Sequence, residues 1–169
     1  FRAGQGYLYE GGLKIPYLVR WSGRIKRGSV SDHLFYHPDV MPTLAELTNA
    51  ECPKTDGISF LPTLLSTGKQ ENHSHMYWEL GRQRALRKGD WKAYRDKKGN
   101  WELYDLSTDI EEQMDLADKE GNILQDLIAL AESSHQPARL GKIINQALVD
   151  KDRREAPHER NLQFKKSKK

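Results

Sequence analysis

Four short segments, three of them aromatic-rich, constrain this chain more than any other feature. They are Met76-Tyr77-Trp78-Glu79, Arg84-Ala85-Leu86-Arg87, Trp91-Lys92-Ala93-Tyr94 and Trp101-Glu102-Leu103-Tyr104. Polar turn sequences separate the later ones, Lys88-Gly89-Asp90 and Asp96-Lys97-Lys98-Gly99-Asn100. Segments this short, spaced this closely and punctuated by glycine, read as strands of an antiparallel meander. A period of two places Trp91 and Ala93 on one face and Lys92 and Tyr94 on the other. A sheet this small needs cover, and the next apolar pattern supplies it. Ile123, Leu124, Leu127, Ile128, Leu130 and Ala131 form the stripe of a helix from Asn122 to about His135, ended by Pro137. Gln125 stands at capping-box spacing from Asn122.

Before residue 75 the texture differs. Residues 1–12 hold Gly4, Gly6, Gly11 and Gly12, a loop that needs unusual angles or close backbone approach. Ile15 to Trp21 reads as a strand entered at Pro16. Asp39 is expected to cap a helix running to about Asn49, with Val40, Met41, Leu44, Ala45 and Leu47 on its apolar face. Loop and a short helix follow around Phe60, Leu61, Leu64 and Leu65. Beyond residue 137, Leu140, Ile143, Ile144, Ala147 and Leu148 fit a second amphipathic helix, after which no period remains.

Composition bears on whether this organisation can stand alone. Hydrophobic residues make up 37% of the chain, charged residues 30%, and mean hydropathy is −0.82, so the core is thin. Either a small core carries a solvated tail, or apolar faces are buried against another polypeptide. Residues 1–137 carry a net charge of −3 and residues 138–169 a net charge of +6. A basic tail is a candidate for phosphate or nucleic acid, but it has almost no interleaved aromatics, so a solvated terminus is the plainer reading. One cysteine, Cys52, excludes an intrachain disulfide. No apolar run approaches the length of a membrane span. The chain opens inside a loop motif without a leader, from which an upstream continuation is expected.

Few residues announce chemistry. Glu10, between Tyr9 and Gly11-Gly12, has two open readings: a carboxylate that fixes a tight glycine turn through backbone N–H groups, or a member of a polar site. His33 and His37 have helical metal-pair spacing, but no third ligand follows. Asp105, Asp109 and Glu111 lack the rhythm of a calcium loop. No glycine loop with Lys-Ser/Thr cradles a phosphate.

Taken in order, the residues resemble the carboxy-terminal part of the sulfatases, in the alkaline-phosphatase-like superfamily. The pieces are Tyr9-Glu10-Gly11-Gly12 with Ile15-Pro16, Arg20-Trp21-Ser22-Gly23-Arg24-Ile25, Ser31-Asp32, Asp39 with Pro42-Thr43-Leu44, and Asp56-Gly57-Ile58-Ser59. Tyr77-Trp78-Glu79, Ala85 to Lys92 and Glu102-Leu103-Tyr104-Asp105-Leu106 complete the series. The resemblance implies an α/β fragment: residues 1–70 as the end of a large α/β domain, and 75–137 as a small subdomain of antiparallel sheet and packed helix. Residues 138–169 match nothing in it.

The resemblance also implies chemistry that lies elsewhere. Sulfatases hydrolyse sulfate esters with a formylglycine made from Cys or Ser in a Cys-x-Pro/Ala-x-Arg motif, and with a calcium ion held by Asp and Asn side chains. Both lie upstream of the Glu-Gly-Gly loop, so no catalytic residue or metal ligand is expected in this chain. Cys52-Pro53-Lys54-Thr55 is not that motif, because its proline is adjacent and no arginine follows. Five residues before the Glu, the family usually carries a lysine that contacts the sulfate; here that position is Gln5, which donates hydrogen bonds without charge. Glu79, Arg82 and Arg84, around the loop Leu80-Gly81-Arg82-Gln83 of the small subdomain, are the candidates for substrate contact, with ordinary surface charge as the alternative. The implied partners are the upstream part of the same sulfatase and a sulfated small molecule or glycan, and family habit implies export to periplasm, lysosome or exterior. A non-catalytic binding or assembly module is the alternative, since Gln5 permits it.

Overall fold

A computed structural model describes residues 1–137 of the chain. Its centre is the four-stranded antiparallel meander β1 (Met76–Leu80), β2 (Gln83–Lys88), β3 (Trp91–Arg95) and β4 (Trp101–Asp105), in that spatial order. The register pairs Trp78 with Ala85, Leu86 with Ala93 and Ala93 with Leu103. Glycine sits at each of the three turns, and Gly81, Gly89 and Gly99 all take positive φ. At the last turn one Asp96 carboxylate oxygen accepts N–H bonds from Lys98, Gly99 and Asn100.

Both faces of the sheet are covered. On one, Leu86, Ala93 and Leu103 pack against Leu124, Leu127 and Ala131 of α4 (Gly121–Ser134). On the other, Ala85, Tyr94 and Tyr104 pack against Leu8 and Tyr9 of the amino-terminal loop, with Leu106. Trp91 lies with the α4 cluster and Tyr94 with the loop cluster, as the period of two requires. Phe1–His135 form one compact unit.

The remaining helices are short: α1 (Glu10–Leu13), a 3-10 turn His37–Asp39 running into α2 (Val40–Thr48), and α3 (Leu61–Leu65). Pro42 occupies the third position of α2, where no intrahelical N–H bond is lost. Asn49 ends α2 in the left-handed conformation.

Three sequence expectations change. Ile15–Trp21 forms no strand among the described residues, and its apolar side chains are exposed, Leu18 at 94%. A strand exists only with a neighbour to accept its N–H bonds, and none is described here. Asp39 stands at the N-cap position of α2, as expected, but makes no side-chain cap bond there. Its carboxylate instead accepts from the N–H of Tyr36 and the N–H of Ile58, and lies 2.8 Å from Nε2 of His73. The capping box at Asn122 is absent: α4 begins one residue earlier, with Glu120 at the cap position and no side-chain cap bond. The helix expected over 140–148 and the basic tail lie outside the described residues.

Candidate functional site

The amino-terminal loop is clamped to the sheet at several points. Tyr9 stacks 4.0 Å from Tyr94 and donates its hydroxyl proton to Glu102 at 2.7 Å. Tyr104 donates to the same carboxylate oxygen at 2.5 Å. Burial, reinforced by these bonds to Glu102, pushes both phenols far above their ordinary range, so they remain donors. Arg2 lies over the Tyr9 ring at 4.2 Å and donates to the Tyr104 hydroxyl and the Glu112 carbonyl.

Glu10 completes the clamp. It is 4% exposed, and its Oε1 accepts from Nζ of Lys92 at 2.8 Å. Lys92 is fully buried and lies 2.7 Å from Oε1 of Glu112, itself fully buried. Glu112 returns to the loop by accepting the Glu10 N–H at 2.6 Å. Arg87 adds a longer contact of 3.8 Å to Glu10. Burial holds the Glu112 carboxyl above its usual range, although Lys92 and the Glu10 N–H act to lower it. Glu112 also sits at φ +56, a left-handed conformation costing about 1–2 kcal/mol outside glycine, and there its carboxylate reaches Lys92.

The turn-fixing reading of Glu10 through glycine N–H groups is therefore corrected. Its partners are cationic side chains of the sheet, while the Gly11 N–H goes to the carbonyl of Arg2 and the Gly12 N–H to that of Tyr9. The glycines serve packing. A Cβ on Gly11 would stand 2.3 Å from the Ala3 carbonyl oxygen, and one on Gly12 would stand 2.1 Å from that of Tyr7.

The other site candidates separate by face. Arg84 and Glu79 lie on the α4 side: Arg84 donates to Glu132 at 2.8 Å, and Glu79 lies 2.8 Å from His135 and accepts from Tyr77. Burial acts to raise the Glu79 carboxyl, but the bonds from Tyr77 and His135 prevail and hold it below its usual range. Arg82 lies at the tip of the β1–β2 hairpin, on a cleft of about 500 Å³ shared with Gly6, Leu80, Gly81, Gln83 and Lys97. Gln83, buried beneath, donates to the Gly6 carbonyl at 3.2 Å and accepts from Tyr94 at 2.8 Å. Gln5 is exposed on the loop beside this cleft.

No cluster of three His, Cys, Asp or Glu residues able to hold a metal occurs among the described residues. His33 and His37 do not form one, and Asp109 instead accepts the N–H groups of Gln113 and Met114. Cys52 has its thiol beside the Pro53 carbonyl. The described residues therefore fit neither a calcium ion nor a formylglycine. No described helix is long and apolar enough to cross a membrane. Sequence reasoning missed Lys92 and Glu112, which lie 82 and 102 residues from Glu10. The only signal available was a lysine on the same strand face as Tyr94.

Comparison with known proteins places the chain in a family. Residues 4–134 match the family model described as N-sulphoglucosamine sulphohydrolase, C-terminal. An uncharacterized sulfatase of Schizosaccharomyces pombe is 34% identical over 145 residues, covering 75% of this chain and 26% of that protein. Human arylsulfatase A is 37% identical over 106 residues, covering 59% and 21%. A structure from work on glycosaminoglycan metabolism by Bacteroides thetaiotaomicron superposes with a TM-score of 0.68 at 27% identity, covering 79% of this chain and 31% of that one. The chain spans about a quarter of the length of the curated relatives it matches. A matched segment that includes the clamped loop, the meander and α4 shows that the chain belongs to the sulfatases, as a carboxy-terminal part of that family.

Proposed function

We propose that this chain is the carboxy-terminal part of a polypeptide that hydrolyses sulfate esters of sugars or aryl groups. Residues 1–70 end the large catalytic domain, and residues 75–137 form the small subdomain behind one wall of the cleft. The observation that carries this reading is the clamp of Glu10 on Lys92 and Glu112, which fixes the loop bearing Gln5 against the small sheet. That loop position is where the family places a sulfate-binding cation. Charge accumulates on the sulfuryl oxygens in the transition state, so donors there must be held before reaction. The clamp provides such holding. Calcium and the formylglycine nucleophile belong, on this reading, to the upstream part.

The partner that completes the domain covers the exposed apolar segment around Ile15, Tyr17, Leu18 and Val19. Among the hairpin residues, Arg82 is the substrate contact, while Glu79 and Arg84 fasten α4 to the sheet.

The test is sulfate release from an aryl sulfate and from sulfated monosaccharides. The complete polypeptide is expected to turn over, and the 169-residue chain alone is not. Turnover by the isolated chain would overturn this division of labour. No release by the complete polypeptide on any such ester would favour the non-catalytic module, the reading that the uncharged Gln5 supports.

A further inference from the structure

We infer that Gln83 is a positioning residue for the proposed reaction: its buried side-chain amide fixes the peptide carbonyl of Gly6, and with it the turn that presents Gln5 to the substrate. This rests on the sulfatase reading and deepens it. The clamp at Tyr9 and Glu10 does not by itself set Gln5. Residues 4–7 form a turn of their own, in which the Tyr7 N–H donates to the Gly4 carbonyl at 3.1 Å and Gly6 takes φ +95. Gln5 holds the second position of that turn, and of the two central residues only Gly6 has positive φ, the pattern of a type II turn. Packing does not confine Gly4 or Gly6, since a Cβ on either would meet nothing within 4 Å, and glycine changes the sign of φ at little cost. Among the described residues, the one side-chain hydrogen bond to this turn comes from Gln83.

Gln83 is itself held on both sides. It is 1% exposed and begins β2, paired with Leu80 across the tight turn at Gly81 and Arg82, so the sheet sets its backbone. Its two amide arms are assigned by their partners. The Gly6 carbonyl can only accept, so Nε2 donates to it at 3.2 Å. Oε1 accepts from the Tyr94 hydroxyl at 2.8 Å, and burial holds that phenol above its ordinary range, so it stays a donor. Tyr94 in turn stacks on Tyr9 of the clamp. One buried amide thus ties the tip of the loop to the same sheet that holds its root. A donor at a reacting sulfate must be in place before charge develops, and a misplacement of about 1 Å there lowers the rate strongly.

The test has two arms. In the 169-residue chain, Gln83→Met keeps the length of the side chain and removes both hydrogen bonds. Amide hydrogen exchange at Tyr7 should become about tenfold faster than in wild type, while the amides of β3 keep their protection. Tyr94→Phe, which leaves the amide in place without its donor, should give a smaller increase at the same residue. In the complete polypeptide, Gln83→Met should lower kcat on an aryl sulfate about tenfold and change KM by less than about twofold, because the loss falls on the transition state. If Gln83→Met does not fold, Tyr94→Phe carries both arms. Unchanged exchange at Tyr7, exchange that rises equally in β3, or an unchanged kcat would overturn the assignment. A wild-type complete polypeptide that releases no sulfate from any ester removes the hydrolase reading, and the exchange arm then still decides whether Gln83 fixes the turn.

Discussion

The ammonium of Lys92 lies 2.8 Å from the carboxylate of Glu10, across 82 residues of sequence and with neither group open to solvent. Glu112 lies 2.7 Å from the same ammonium, so one buried cation serves two carboxylates. Removing a single partner from such a group leaves buried charge uncompensated, which costs about 3–5 kcal/mol. Lys92→Met should therefore lower stability by about that amount in urea unfolding. Combining it with Glu10→Gln and Glu112→Gln should recover a large part of the loss. Failure of the triple variant to recover would mean that lysine packing, rather than charge balance, sets the cost.

Glu112 gives the cluster a pH signature. Burial raises its pKa in the folded protein above the unfolded value. Its contribution to stability is therefore fully present below the ordinary glutamate pKa and is lost as pH rises through the folded value. Glu112→Gln removes that proton. The difference in stability between wild type and variant should shift in favour of the variant as pH rises from about 4 to 7. A difference that stays constant over that interval would place the titration elsewhere.

The loop glycines predict a contrast between neighbours. A Cβ on Gly12 meets the Tyr7 and Gly4 carbonyl oxygens at 2.1 and 2.8 Å, whereas one on Gly4 meets nothing within 4 Å. Gly12→Ala should cost about 1–3 kcal/mol because backbone must move, and Gly4→Ala should cost less than about 0.5 kcal/mol. Thermal unfolding of the two variants side by side checks this.

The meander was legible because its information is local: alternation, aromatic content and glycine turns all lie within a few residues. The clamp was not, because a lysine on a strand carries no mark of burial until its partners arrive from distant segments. Glu112 was harder still, since it reaches Lys92 from a left-handed residue in an irregular stretch. Ile15–Trp21 shows the reverse failure. Its pattern is that of a strand, but a strand is a relation between two segments, and sequence reports only one of them. Glu10 stood out as unusual in the sequence, while the geometry changed the reason: its carboxylate secures the loop to the sheet rather than the turn to itself.

Gln5 predicts a gain. Gln5 is exposed on the loop, and under the proposed function a lysine there would place a cation where a sulfate oxygen gains charge during hydrolysis. Losing a comparable preorganised donor costs enzymes about 100-fold or more, so adding one that is imperfectly placed should still be visible. Gln5→Lys in the complete polypeptide is expected to raise kcat/KM on a monosulfated ester by about tenfold, mostly in kcat. An unchanged or lower kcat would show that the substrate sulfate does not lie against this residue.

The exposed segment at Ile15–Trp21 yields a test that compares two contexts. Leu18 is 94% exposed in the described structure, so a charge there meets only water in the isolated chain. Leu18→Asp should change the stability of that chain by less than about 0.5 kcal/mol, as surface substitutions do. If the upstream part of the polypeptide covers this segment, the same aspartate becomes a buried, unpaired carboxylate. The complete polypeptide should then lose at least about 3 kcal/mol, or fail to accumulate folded. The isolated wild-type chain should also bind an apolar dye at this surface, and Leu18→Asp should reduce that signal. Equal, small effects in both contexts would show that Leu18 faces solvent in the whole protein, and the partner surface would have to lie elsewhere.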